Sequence, residues 1–155
     1  MKSIKIFAML FLLAGGLITM QSCKKEAVNP EPEASLYDRL GGIEAISAVT
    51  DQFLTNVVSN NEINFFFAET IQNPFRVANL RNHLIDQICE AAGGPCTYKG
   101  EDMKTAHAGM NITTAQFNSL VGDLVEALNQ FNVPATEQNQ LLSVLGGLAP
   151  DIVGQ

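Results

Sequence analysis

GGPCTYKGEDMKTAHAGMNIT, Gly93 to Thr113, is the stretch whose reading decides the fold: one helix stops, a single turn follows and a second long helix begins. Gly93-Gly94-Pro95 breaks a helix twice over, because glycine loses the most backbone freedom on ordering and proline has no N–H to donate. Met103 to Ala106 is a short apolar turn, and Thr113 or Thr114 caps what comes next. His107 stands at the end of that turn. A neutral imidazole fixed between two helical segments is what a metal needs as a protein ligand.

Working outward, the same pattern of caps and breaks recurs. Ser35 caps a one-turn segment that ends at Gly41-Gly42, and the spacing predicts a helix over Ile43 to Val58 with Ile46, Val49, Phe53 and Val57 on one stripe. Asn73 followed by Pro74 starts another, which ends before Gly93 and carries Leu80, Leu84 and Ile88 one turn apart. The helix after Thr113 runs to about Phe131, facing inward through Phe117, Leu120, Val121, Leu124 and Leu128. Pro134 opens a last one to about Leu148, through Leu141, Leu142 and Leu145. No run of period-two alternation is long enough for a sheet, so the class is all-α. Residues 35–155 give enough chain for a single core and not for two.

The N-terminus describes an address. Lys2 and Lys5 precede an apolar run from Ile6 to Met20, too short to span a bilayer comfortably and ordered as a secretion signal is ordered. It stops at Gln21-Ser22-Cys23-Lys24-Lys25, which resembles a bacterial lipoprotein processing site, although Met20 and Gln21 are bulkier and less apolar than its commonest form. Residues 1–22 are therefore expected to be a signal peptide and 23–34 a lipidated N-terminus and tether, with an uncleaved N-terminal anchor as the alternative. The tether, KKEAVNPEPEA after Cys23, has two prolines and alternating charge and little to bury. Losing Lys2 and Lys5 leaves 7 basic against 16 acidic residues, a formal charge of −9. That balance argues against nucleic acid and gives no electrostatic attraction to anionic lipid, so membrane contact comes from the lipid on Cys23. The expected location is the bacterial cell envelope, periplasmic or surface-facing.

Two features bear on what the domain holds. Phe65-Phe66-Phe67 follows the polar Ser59-Asn60-Asn61 turn, and three consecutive phenylalanines cannot all enter one helix core. Either one packs on an apolar ligand, or the corner is packed by its own aromatics. There are two histidines, His83 and His107, without a clustered Cys or carboxylate, which is no zinc site.

In order, Gly93-Gly94-Pro95, Tyr98, Gly100, Met103, Ala106-His107, Gly109 and Ile112-Thr113 resemble the corresponding run of the truncated haemoglobins of the first group, and the resemblance covers roughly Ser35 to Val153. It implies a two-over-two helical sandwich around haem, with His107 as the proximal iron ligand. Phe53 and Phe66 match the aromatics that pack on the haem, and Leu54, Leu80, Leu84, Met103, Ile112 and Phe117 complete the implied cofactor-binding set. Without a Cys-x-x-Cys-His there is no thioether attachment of the cytochrome c kind, so haem is expected to be held non-covalently, or by a linkage the motif does not announce.

The sequence departs from the family on the ligand side. Many members carry a tyrosine, which donates to bound dioxygen, where this chain has Leu54, and the supporting glutamine matches Leu84, with Leu80 at the neighbouring distal position. Each lost hydrogen bond is worth on the order of 1–3 kcal/mol, so tight oxygen storage is not expected. His83 matches a position where some cyanobacterial members hold a distal iron ligand; it is that, or a helix-surface histidine near a haem propionate. Bis-histidine iron favours electron transfer or redox sensing.

Cys89 and Cys96 flank the Glu90 to Pro95 turn and, in an exported protein, are expected to form a structural disulfide. The leading function is reversible binding of a diatomic ligand, oxygen or nitric oxide, at iron. Whether the protein is an enzyme stays open: the alternative is a small haem enzyme or redox protein consuming nitric oxide or peroxide and served by an unidentified reductase. A haem-free helical interaction module is a third reading.

Overall fold

Helices begin in this chain where a side chain satisfies the N–H groups that a first turn leaves without partners. The computed structural model describes residues 33–155. The leader over 1–22, Cys23 and all but the last two residues of the tether lie outside the described residues. Ser35 accepts from the Asp38 N–H at 3.1 Å and opens α1, Leu36–Arg39. Gly41 and Gly42, at φ 92° and 73°, turn the chain into α2, Gly42–Ser59; these left-handed angles cost a glycine nothing. A 3-10 turn over Asn64–Phe67 leads into the short α3, Ala68–Ile71. Asn73 accepts from the N–H groups of Phe75 and Arg76 and starts α4, Pro74–Ala91. Asp102 caps α5, Met103–Ala106. Thr113 and Gln116 form a reciprocal capping box at the head of α6, Thr114–Gln130. The last helix is α7, Ala135–Gly146, followed by a 3-10 turn over Ala149–Asp151.

Among the described residues there is no strand. Helix α2 packs on both α4 and α6, and α7 packs on α4 and α6, so four main helices make two layers, the two-over-two arrangement. Ile46, Val49, Phe53 and Val57 of α2 meet Ile85 and Ile88 of α4, Leu124 and Leu128 of α6 and Leu141 of α7. A second, smaller cluster gathers Ile112, Phe117 and Ile152. A domain of this size ordinarily has one contiguous core. Here Phe66 touches both clusters, and the space between them is a cavity.

Three features differ from what the spacing predicts. Between Ser59 and Asn73, where the spacing names no helix, two four-residue helical pieces form, too short to show a period, the 3-10 turn packed on α2 and α3 packed on α4. Helix α7 stops at Gly146 and not Leu148, since Gly146-Gly147 ends it. On α4 the core side is Ile85, Ile88 and Cys89, while Leu80 and Leu84 are half-buried, turned from the core toward the cavity. Cys89 and Cys96 are joined by a disulfide across a Cα separation of 5.7 Å.

Candidate functional site

Asp102 fixes the start of α5 by accepting from the Thr105 N–H at 2.9 Å and from its hydroxyl at 2.7 Å. Four residues on, the helix ends at His107, whose backbone N–H reaches the Met103 carbonyl at 3.1 Å. The same carbonyl lies 2.7 Å from Nδ1 of the His107 ring. A carbonyl can only accept, so Nδ1 carries the proton and Nε2 keeps its lone pair. That is the tautomer of a histidine prepared to ligate a metal. After it, Gly109 and Asn111 take positive φ, and the turn is pinned to the C-terminus by Gly154 donating to the Ile112 carbonyl at 2.9 Å.

His107 lines a cavity of about 550 Å³, a size and apolar character usual for cofactor sites. Of the residues singled out from the sequence, Phe53, Phe66, Leu80, Leu84, Met103, Ile112 and Phe117 line it, as does His83. Leu54 does not. It follows Phe53 on α2 and is therefore rotated about 100° from it, half-buried outside the lining. Of the three phenylalanines, Phe66 and Phe67 face the cavity and Phe65 is exposed, its ring 4.3 Å from that of Phe66. The rest of the wall includes Ile63, Gln87, Tyr98, Met110, Leu148 and Ile152. Tyr98 stood in the quoted motif without a role; Gln87 and Ile152 carry no signal in the sequence, because only the closure of α4 and the C-terminus over the same space brings them there.

Gln87 and Tyr98, two polar residues of the lining, are hydrogen-bonded. Gln87 donates to the Met103 sulfur at 3.2 Å, tying α4 to the histidine's own turn. The Tyr98 hydroxyl donates to the Glu101 carbonyl at 3.0 Å. Burial, with the Glu101 and Asp102 carboxylates nearby, pushes the Tyr98 phenol above its ordinary value, so it remains a donor at neutral pH. The His83 ring meets that of Tyr98 edge-on, centroids 5.8 Å apart.

Residues 35–153 match the family model described as bacterial-like globin. The chain belongs to that family. A group 1 truncated hemoglobin GlbN of Mycolicibacterium paratuberculosis is 34% identical over 119 residues, 77% of this chain and 84% of that protein. The truncated hemoglobin of Tetrahymena pyriformis in its Fe(III) form superposes with a TM-score of 0.72 at 26% identity, covering 79% of this chain and all of the other. A 2/2 hemoglobin from Synechococcus with covalently attached heme gives 0.66 at 27% identity, covering 73% and 91%. Within the family, this chain is a truncated haemoglobin of group I, and its cofactor is haem.

The residues of this truncated haemoglobin fit that group. Among the described residues no three His, Cys, Asp or Glu side chains gather to hold a metal. An ion bound on the single imidazole of His107 must therefore bring its other donors, as iron in a porphyrin does. Phe53, Phe66 and Phe117 offer the apolar and aromatic wall a macrocycle needs. Cys89 and Cys96 are consumed in the disulfide, so no thiol among the described residues is left for a thioether to haem.

Proposed function

We propose that this truncated haemoglobin binds a diatomic gas, oxygen or nitric oxide, at iron carried by His107, and does so in the bacterial envelope, tethered by lipid on Cys23. The observation that carries the first part is the Nδ1–H bond from His107 to the Met103 carbonyl, which commits the ring to one tautomer and one orientation. Haem supplies an iron with one exchangeable position. The chain's own residues do the rest. Met103 orients the imidazole; Phe53, Phe66 and Phe117 exclude water; Leu80 and Leu84 present hydrocarbon where a hydrogen-bond donor would slow the departure of a ligand. A gas held without such donors leaves quickly, which suits exchange or sensing better than storage.

The test is to load the full chain with haem, reduce it and measure oxygen and nitric oxide binding and release. Fast oxygen release is expected, and Leu84→Gln should slow it by a factor of roughly 5 to 150, the equivalent of one hydrogen bond of about 1–3 kcal/mol. Failure of the reduced protein to bind either gas overturns the proposal. A second reading has one observation in its favour: His83 lines the same cavity. Coordination by both histidines would make the protein a redox component served by a reductase.

A further inference from the structure

Positions 83, 87 and 90 fall on one face of α4, at spacings of four and three. All three face the loop that leads from the Gly93-Gly94 break to His107. His83 meets Tyr98 edge-on, with the ring planes at 72°. Gln87 reaches the Met103 sulfur. Glu90 accepts the backbone N–H of Tyr98 at 3.1 Å. Between them the Cys89–Cys96 disulfide anchors the same loop one residue before Thr97.

Within this seam Tyr98 is the fixed partner and His83 the adjustable one. The Tyr98 backbone is held by Glu90 and its hydroxyl by the Glu101 carbonyl. Its ring lies so close over Gly100 that a β-carbon there would collide with it. His83, by contrast, is an exposed helix residue whose ring meets that of Tyr98 in a T-shaped contact. We infer that Tyr98 is a positioning residue: by holding the His83 imidazole against the loop it keeps that ring off the iron and leaves the sixth coordination position to external ligands. This rests on His107 carrying haem iron. By this inference a tyrosine of the cavity lining sets the coordination number of the iron through the histidine it holds.

An edge-to-face contact shifts the balance between a parked and a ligating histidine by about two- to tenfold. The haem-loaded full chain, reduced and without added ligand, should be high-spin, and carbon monoxide should bind at a rate proportional to its concentration. Tyr98→Leu should raise the low-spin fraction two- to tenfold, within the scale of such contacts (about 0.5–1.5 kcal/mol by the same principle), and add a carbon monoxide phase independent of concentration. Tyr98→Phe keeps the edge without the hydroxyl and should match wild type. The double variant Tyr98→Leu with His83→Leu should return to the high-spin spectrum, which a general loosening of the fold would not do. In haem-free protein, the His83 ring-proton resonances should carry a ring-current shift that Tyr98→Leu abolishes and Tyr98→Phe retains. A wild-type ferrous protein that is low-spin through His83, or a Tyr98→Leu spectrum identical to wild type, overturns the inference. If Tyr98→Leu does not fold, the wild-type holoprotein decides alone: nuclear Overhauser contacts between the two rings support it, and their absence rejects it. A failure of His107 as ligand is distinguishable, since His107→Ala would then keep the wild-type spectrum whatever the Tyr98 series does.

Discussion

One carbonyl, that of Met103, receives both the backbone N–H and the ring Nδ1–H of His107, so the residue that ends α5 is held twice by the turn it ends. That turn depends on Asp102. Hydrogen bonds from the Thr105 side chain, then its backbone N–H, hold the Asp102 carboxyl below the usual carboxylate range. A carboxylate with a lowered folded-state value stabilises above its unfolded value, near 3.9, and the stabilisation is lost as pH falls through the lower, folded one. Asp102→Ala should therefore release haem faster than wild type at neutral pH, measured by transfer to an apoglobin scavenger. The difference should close under acid, where wild-type Asp102 is protonated too. At this scale part of the site was legible, because Met103 and His107 stand in a motif with fixed spacing, and Phe53 and Phe66 came with the family resemblance. Leu54 was misplaced since a single step along a helix turns a side chain from the cavity, and Ile152 was invisible since nothing local to it says that the C-terminus returns to the turn after His107.

The elements that were legible are those with both a cap and a period. Helices α2, α4, α6 and α7 each combine a readable start with apolar residues three and four apart, and their bounds fall within two residues of expectation. The 3-10 turn at Asn64–Phe67 and α3 have neither, being too short to show a repeat, and they owe their form to the helices they pack on. The disulfide acts on elements as well: it joins the last turn of α4 to the loop that carries Tyr98 and leads to α5. Closing so short a loop is worth about 2–3 kcal/mol in the chain-entropy account. Denatured, unreduced protein should titrate no thiol from Cys89 or Cys96, and the Cys89→Ala/Cys96→Ala pair should unfold at lower denaturant by an amount of that order. Two free thiols in protein purified without reductant would contradict this.

Across the whole molecule, the two apolar clusters with the cavity between them show that a small helical domain with 7 Phe, 2 Tyr and no Trp leaves its centre unfilled by its own side chains. The space is for haem. Among the described residues no helix is long and apolar enough to cross a membrane; the proposed attachment at Cys23 is tested on its own. The intact mass of envelope-purified protein should begin at Cys23 and include acyl chains, and Cys23→Ser should release the protein from membranes or leave its precursor uncleaved. A product that starts elsewhere without acyl mass would contradict the tether while leaving the globin untouched. The central claim, haem iron carried by His107, is tested most directly by the absorption spectrum of wild type and His107→Ala in both oxidation states after haem loading. Wild type should show an intense Soret band; the variant should retain little haem, weakly held by the apolar walls, and added imidazole should partly restore the wild-type spectrum. A His107→Ala protein with wild-type haem content and spectrum would contradict the account.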